Sequence, residues 1–167
     1  LQPKIIELAA LLTDDTGKEF GAFNVLIDDG IDIPAEATAV HGITTGDCER
    51  FGIDIDTALS LLMNFINEEV LIIGHNISFD LKMIRSAYGG ALWDKSFYKT
   101  LDTYCTMLKS TNICKIPKAN GNKGNKWPRL EEAYKVLLGR EMIGGHRAMV
   151  DVRACAEVYF KLKELGV

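Results

Sequence analysis

The stretch VLIIGHNISFDLKMI, residues 70–84, changes from an apolar, β-branched run to a segment with helical character. The run VLII is short and wholly apolar, which is typical of a strand covered on both faces. Residues 78–88 predict a helix that stops at Gly89 and Gly90. Asp80 therefore falls in a first helical turn, where exposed backbone N–H groups favour a carboxylate. Taken alone, Asp80 is most simply interpreted as a helix-start acid.

The segments on either side predict an α/β protein with a mixed sheet. Upstream, two strands joined by TDDTGKE predict a hairpin, because Asp, Thr and Gly supply turn chemistry. Asp54 is a plausible helix cap. The predicted strands lie at 5–12, 20–27, 70–73 and near 99–102, and the predicted helices at 35–40, 54–68, 78–88, 103–110, 129–138 and 147–164. Residues 28–54 are otherwise loop-rich, and 111–128 form a predicted mobile basic loop.

Composition indicates one domain, residues 1–167. A chain of 167 residues with 47% hydrophobic and 25% charged residues is ordinary for a globular protein, and no apolar run approaches the roughly 20 residues that span a bilayer. The four cysteines form no C-x-x-C pair. Free thiols in a reducing compartment are therefore expected, with a cytoplasmic location and no membrane partner.

Charge is unevenly distributed along the chain. The net charge is −4 overall, with −9 over residues 1–60 and +7 over residues 95–147. A polyanion could lie on the second region, although uneven sorting of surface charge explains the same numbers. The basic loop 111–128 is open to the same two interpretations, a guide for a nucleic-acid strand or a linker.

Asp151 lies beside an apolar helical stripe formed by Val150, Ala154, Val158 and Leu162. An ionised group so close to a buried face costs several kcal/mol unless something compensates it. A cation or another partner is therefore implied. His146 follows two glycines five residues upstream, so it is expected on the approach to the helix; in isolation it is more ordinary as a surface or core histidine.

Several segments together resemble one enzyme family. GHNISFD and HRAMVD resemble the second and third motifs of the DEDDh class of 3′–5′ exonucleases, which are proofreading-exonuclease-like proteins. HGIT at 41–44 resembles that family's loop beside the terminal nucleotide, while LDT at 101–103 and WPRLEEAY at 127–134 resemble its connecting elements. The resemblance runs over nearly the whole chain and implies a ribonuclease-H-like fold, a mixed β-sheet flanked by helices.

The resemblance also implies a site. Phosphodiester hydrolysis by two divalent ions needs carboxylate ligands, and Mg²⁺ or Mn²⁺ is the expected cofactor. By resemblance, Asp151 would bind a metal directly, Asp80 would support the second ion, and His146 would take the proton from the attacking water. The residues expected to hold the 3′-terminal nucleotide are His41, Gly42, Asn76 and Phe79.

The family's first motif, D-x-E-T, would fall just before Leu1. Two of its four acids are therefore not in this sequence, and Glu7 is expected to be an ordinary strand acid rather than their replacement. In a ribonuclease-H-like sheet the first strand lies between the strand at 5–12 and VLII. An upstream segment of about 10 to 20 residues carrying these acids is therefore expected.

The leading hypothesis is a metal-dependent 3′–5′ exonuclease that releases 5′-mononucleotides from single-stranded DNA. Its expected partner is a single-stranded 3′ end, with a DNA polymerase as a second candidate. The alternatives are a catalytically inactive nucleic-acid-binding or polymerase-associated module of the same fold, and an RNA-directed 3′–5′ exoribonuclease. An unrelated α/β protein with structural carboxylates would explain neither the motif order nor Asp151.

Overall fold

A computed structural model describes residues 4–66, 69–87, 100–119 and 121–167. The chain has an α/β arrangement with both antiparallel and parallel strand pairs. The strands are β1 (Glu7–Thr13), β2 (Glu19–Leu26), β3 (Ile72–Gly74) and β4 (Thr103–Cys105). The helices are α1 (Ala35–His41), α2 (Thr45–Phe51), α3 (Ile55–Met63), α4 (Ile77–Ala87), α5 (Thr106–Cys114), α6 (Leu130–Leu138) and α7 (Ala148–Glu164).

The predicted hairpin is confirmed. β1 pairs antiparallel with β2, with Ala10 opposite Phe23. Asp14 stabilises the connection because its Oδ1 accepts hydrogen bonds from the backbone N–H groups of Thr16, at 2.8 Å, and Lys18, at 3.0 Å. The turn chemistry read from TDDTGKE therefore acts through this one carboxylate.

β3 and β4 form a parallel pair with Ile72 opposite Thr103 and Gly74 opposite Cys105. Both strands lie slightly later than predicted. The prediction of a helix from residue 103 was wrong at its start, because Thr103–Cys105 pair with β3 and the helix begins at Thr106. Tertiary pairing overrides the local helical pattern at these three residues.

Two helices differ from the sequence-based boundaries. α2 lies inside the region predicted to be loop-rich, and a capping box starts it: Thr44 Oγ1 accepts from Asp47 N–H at 3.1 Å, and Asp47 accepts from Thr44 N–H at 2.8 Å. Asp54 caps α3 as predicted, but the helix ends at Met63. The predicted extension of this helix to about residue 68 was wrong, because residues 64–66 are not helical. The predicted stop at Gly89 and Gly90 lies outside the described residues.

The segment predicted as a loop from residue 111 begins as helix. α5 continues to Cys114 and ends at Lys115, which adopts a left-handed conformation with φ of 51°. Beyond it, Pro117 and Asn125 form an isolated antiparallel bridge, and Lys126 N–H donates to Ile116 O at 2.9 Å. The basic segment is therefore folded back on itself within its described part.

Two apolar clusters hold these elements together. One packs α6 against α7 through Ala133, Tyr134, Leu137, Ala154, Val158 and Leu162. The other packs α3 and α4 against the hairpin, around Leu59, Leu62 and Ile84. Fully burying one such aliphatic side chain stabilises the fold by about 2 kcal/mol. The apolar stripe read from the last helix is the face that α7 turns to its neighbours.

Among the residues that the structure describes, no helix combines the length and apolar composition needed to cross a lipid bilayer.

Candidate active site

A cleft of about 770 Å³ separates the hairpin from the β3–β4 pair. One wall is the edge of β1, the opposite wall is β3, and α7 closes one face while α3 and α4 contribute apolar side chains to the other. Within the described part of the chain, β1 pairs with β2 and β3 pairs with β4, so the two strand edges facing the cleft have no strand partner. Four predicted site residues line this cleft: His41, Asp80, His146 and Asp151.

Asp80 enters the cleft from the first turn of α4. Its carboxylate reaches solvent through the cleft opening, yet it lies among enough protein atoms that desolvation raises its pKa from 3.8 to about 6. Its own backbone N–H offsets only part of this effect. No ion pair to Asp80 is found among the described residues, so its negative charge lacks a compensating cation there.

Asp151 lies in the first turn of α7, half-buried against the cleft. Desolvation raises its pKa, although the backbone N–H of His146 donates to its Oδ1 at 3.2 Å. This bond ties His146 to Asp151 across five residues. His146 itself adopts a left-handed backbone with φ of 71°, an uncommon conformation for a residue other than glycine, and its exposed side chain lines the cleft.

HGIT forms the carboxyl end of α1. Gly42 has φ of 74° and ends the helix, with its N–H donating to Thr38 O at 2.7 Å. His41 Nδ1 accepts the N–H of Ile43 at 3.1 Å, which leaves Nε2 as the ring N–H donor in the neutral tautomer. The turn therefore fixes the direction of the imidazole that lines the cleft.

Gly42, Asn76 and Phe79 do not themselves line the cleft. Asn76 lies between two residues that do and has φ of 70°, and its carbonyl accepts the N–H of Phe79 at 2.8 Å, at the start of α4. The ring of Phe79 is 51% exposed and sits one residue before Asp80. Each of the three residues is adjacent in sequence to a residue that lines the cleft: His41, His75 and Asp80 respectively.

His75 is a part of the site that sequence reasoning did not single out. Its two ring nitrogens lie 2.9 Å from Thr106 Oγ1 and 2.9 Å from Pro128 O. A carbonyl only accepts, so Nε2 carries the proton toward Pro128 and Nδ1 accepts from Thr106. Burial lowers the pKa of His75. The neutral ring thus joins the end of β3 to the basic segment that precedes α6.

Glu7 is the first residue of β1, so it lies on a strand as expected, and it makes more contacts than the sequence indicated. Its side chain is only 5% exposed, and its carboxylate binds Arg147, 140 residues away. The backbone N–H of Ala148 also donates to Glu7 Oε2 at 2.8 Å. An acid at the first position of a strand gave no signal of this, because its partners are distant in the sequence.

The described residues offer a limited donor set for a metal ion. No group of three or more His, Cys, Asp and Glu side chains within them is arranged to hold one. Asp80 and Asp151 nevertheless bring two carboxylates to one cleft. Mg²⁺ commonly binds through one or two carboxylates, with water and substrate phosphate completing its coordination. Asp80 and Asp151 could supply that number of carboxylates to a hard divalent cation.

Comparison with known proteins agrees with the resemblance read from the motifs. The exonuclease (RNase T) family model matches residues 1–159. The chain is also similar to the DNA polymerase III subunit epsilon of Buchnera aphidicola, with 29% identity over 156 residues. That alignment covers 93% of this chain and 62% of the relative, so the chain spans less than two-thirds of that protein. Because the family model covers most of its length, the chain belongs to the exonuclease family and has a ribonuclease-H-like α/β fold.

Proposed function

We propose that this protein is a metal-dependent 3′–5′ exonuclease that hydrolyses the 3′ end of single-stranded DNA and releases 5′-mononucleotides. The observation that carries the proposal is the lining of one cleft by Asp80, His146 and Asp151. These side chains come from different parts of the sequence, and the family match supplies the reaction class.

The charge of the cleft supports Mg²⁺ or Mn²⁺ as the cofactor. The two carboxylates share the cleft, lack ion pairs among the described residues, and have raised pKa values because of desolvation. Asp151 would hold the ion directly, and Asp80 would support a second one. When bound, such ions supply charge neutralisation at the phosphate and a more acidic water.

His146 is proposed to take the proton from the attacking water at a ring nitrogen. An imidazole is suited to this step near neutral pH. Its backbone N–H is bound to Asp151 Oδ1, so the position of the imidazole is coupled to that of the carboxylate. Gly144 and Gly145 precede it and permit the left-handed turn that exposes the ring.

Four residues are proposed to hold the 3′-terminal nucleotide. His41 offers its Nε2–H to the cleft, and Gly42 provides the turn that aims it. Asn76 and Phe79 lie at the start of α4, where the exposed Phe79 ring is available for stacking on a base. Each of these residues lines the cleft or is adjacent in sequence to a residue that lines it.

The cleft also fits a β-strand. A strand lodged between β1 and β3 would find backbone partners on both edges and apolar side chains on both faces. We propose that a strand bearing the acidic first motif of the family occupies this position and adds its carboxylates to those of Asp80 and Asp151. Backbone amide exchange measured along β1 and β3, with and without such a segment, tests this: the segment should slow exchange at both facing edges.

The basic segment 111–128 is proposed to guide the nucleic acid toward the cleft. It carries four lysines, and Trp127 is 67% exposed. The bond from His75 to Pro128 O connects this segment to the end of β3. Deleting residues 118–125 should reduce oligonucleotide affinity and flatten its salt dependence, since each phosphate contact contributes to that slope. Unchanged affinity would remove the proposed role.

A polymerase-associated module without hydrolytic activity is the second candidate. It is favoured by the two-carboxylate donor set of the described residues and by the relative's name, a DNA polymerase subunit. Because that relative is named as a DNA polymerase subunit, a DNA polymerase is also a candidate partner of the active enzyme. An exoribonuclease remains the alternative within the same reaction class. The preference for DNA or RNA depends on whether the pocket accepts the 2′-hydroxyl.

Degradation of single-stranded oligonucleotides separates these functions. With Mg²⁺ or Mn²⁺, a 5′-labelled DNA strand should shorten stepwise from its 3′ end, and chelation or Asp151→Ala should stop it. Glu164→Gln, which changes an exposed acid at the far end of the same helix, serves as the matched control. Binding without shortening favours the inactive module, and faster shortening of RNA favours the exoribonuclease.

A further inference from the structure

Glu7 stands out because a nearly buried carboxylate at the start of β1 binds the segment that follows His146, in addition to a hydrogen bond with Asn24 of β2. Arg147 Nη2 donates to Oε1 at 2.9 Å, and Nε lies 3.2 Å from both oxygens. Ala148 N–H donates to Oε2 at 2.8 Å. Both oxygens are thus occupied by donors, so Glu7 is committed to these contacts rather than free to bind an ion.

The contact replaces a missing helix cap. Arg147 is the residue before α7, and its own side chain makes no capping hydrogen bond. Glu7 instead accepts from the first N–H of the helix, which satisfies a donor that helix geometry leaves unpaired. The guanidinium of Arg147 also lies near Asp47, whose pKa it helps to lower, so it faces the helix that follows HGIT as well.

His146 is thereby held on both sides. Its N–H is bound to Asp151 Oδ1, and the next two residues are bound to Glu7. Its left-handed φ of 71° is an uncommon conformation that persists when the surroundings fix it. Contacts on both sides of the peptide are the kind of constraint that keeps such a residue in place.

We propose that Glu7 is a positioning residue of the site, which fixes the direction of the His146 imidazole by binding Arg147 and the amino end of α7. The inference rests on the proposed role of His146. Glu7 touches neither reacting atoms nor metal in this scheme, and it acts through the backbone of the segment that carries His146.

Steady-state kinetics on a 5′-labelled single-stranded oligonucleotide with Mg²⁺ test the proposal. Glu7→Gln keeps the size of the side chain and should lower kcat about 10-fold, since small misplacement of a catalytic group is costly. KM should stay within about twofold, because the substrate contacts remain. The effect of Glu7→Gln should vanish in a His146→Ala background, whereas a general loss of structure would lower the residual activity further.

A second pair supplies the matched control. Glu19 of β2 binds Arg153 of α7 across 134 residues, but both side chains are about half exposed and no helix N–H is involved. Glu19→Gln should leave kcat, KM and the histidine spectrum unchanged. Mn²⁺ affinity should be the same in Glu7→Gln and wild type; a large loss would mean that Glu7 binds metal and would overturn the positioning role.

A readout independent of activity separates the two proposals. The chain has three histidines, so the imidazole resonance of His146 is identified by its absence in His146→Ala. Glu7→Gln should shift or broaden that resonance and leave that of His75 in place, whether or not any oligonucleotide is degraded. If Glu7→Gln does not fold, Arg147→Gln breaks the same pair from its exposed end. A His146 resonance and a kcat that both stay at wild-type values in these variants would refute the inference.

Discussion

Replacing Asp80 by asparagine should stabilise the metal-free protein at neutral pH. The pKa of Asp80 is raised from 3.8 to about 6 by desolvation, so the folded state disfavours its ionised form. A shift of this size corresponds to at most about 3 kcal/mol when both states are ionised. Because the carboxylate reaches solvent through the cleft, screening reduces the expected gain to about 1 kcal/mol.

The pH dependence of the gain has a definite sign. Above pH 6 the folded and unfolded states of the wild type are both ionised, and the full penalty applies. As the pH falls from 6 to 3.8 the folded state is protonated first, and the penalty declines. Below 3.8 both states are protonated, and wild type and Asp80→Asn should have the same free energy of unfolding, apart from effects of the amide itself.

Urea denaturation in EDTA at about pH 7.5 and about pH 3.5 measures the stability gain of Asp80→Asn and its pH dependence. Asp56→Asn is the control, because Asp56 is also an acid in a first helical turn but does not line the cleft, so both substitutions give up a similar helix-dipole contribution. Saturating Mg²⁺ should then stabilise wild type more than Asp80→Asn, which keeps Asp151 but loses the support for a second ion. If Asp80→Asn is no more stable than Asp56→Asn in EDTA at the higher pH, Asp80 does not carry the desolvation cost assigned to it.

Two further predictions concern the support of the site. Hydrogen bonds from Arg147 and Ala148 outweigh the effect of burial and hold the pKa of Glu7 below 4.5. The contribution of Glu7 to the free energy of unfolding, about 1 to 2 kcal/mol, should therefore be present above that pH and lost on acidification. In urea titrations, the free energies of unfolding of wild type and Glu7→Gln should converge as the pH falls toward 3. Gly74→Ala would place a Cβ 2.7 Å from the side chain of Ile77 and 3.2 Å from its Cα. This clash should displace the start of α4 and lower the rate of single-turnover hydrolysis about 10-fold. Gly46→Ala is the control, because its Cβ would meet its nearest neighbour at 3.9 Å, and it should leave that rate unchanged.

Local patterns in the sequence were sufficient for elements whose signals are themselves local. The hairpin turn depends on Asp14, the start of α3 on Asp54, and the buried face of α7 on a regular apolar spacing, and each was predicted from a few neighbouring residues. α2 was missed although Thr44 and Asp47 form a capping box, a signal that was present in the sequence but not used. The start of β4 was misassigned because only its pairing with β3 distinguishes it from helix.

The residues that sequence reasoning missed at the site are those whose role depends on a distant partner. His75 contacts Thr106 and Pro128, and Glu7 contacts Arg147, over separations of 31 to 140 residues. No periodicity or motif spacing encodes such a pair. Asp151 was noticed for the opposite reason, since an acid beside an apolar stripe is anomalous within its own helix.

The acidic side chains that line the cleft differ in whether nearby cations and N–H donors compensate their negative charge. The side chain of Glu7 is nearly buried, and a guanidinium and a helix N–H compensate its charge. Its pKa is therefore lowered, and its role is structural. Asp80 and Asp151 are more exposed to solvent, yet desolvation by the surrounding protein raises their pKa values, and no ion pair among the described residues offsets this effect. Uncompensated carboxylates in a shared cleft lower the free energy of unfolding of the metal-free protein. Binding of a divalent ion with its phosphate ligand would neutralise them and recover this free energy. The contrast between compensated and uncompensated acids therefore separates the scaffold from the proposed catalytic centre.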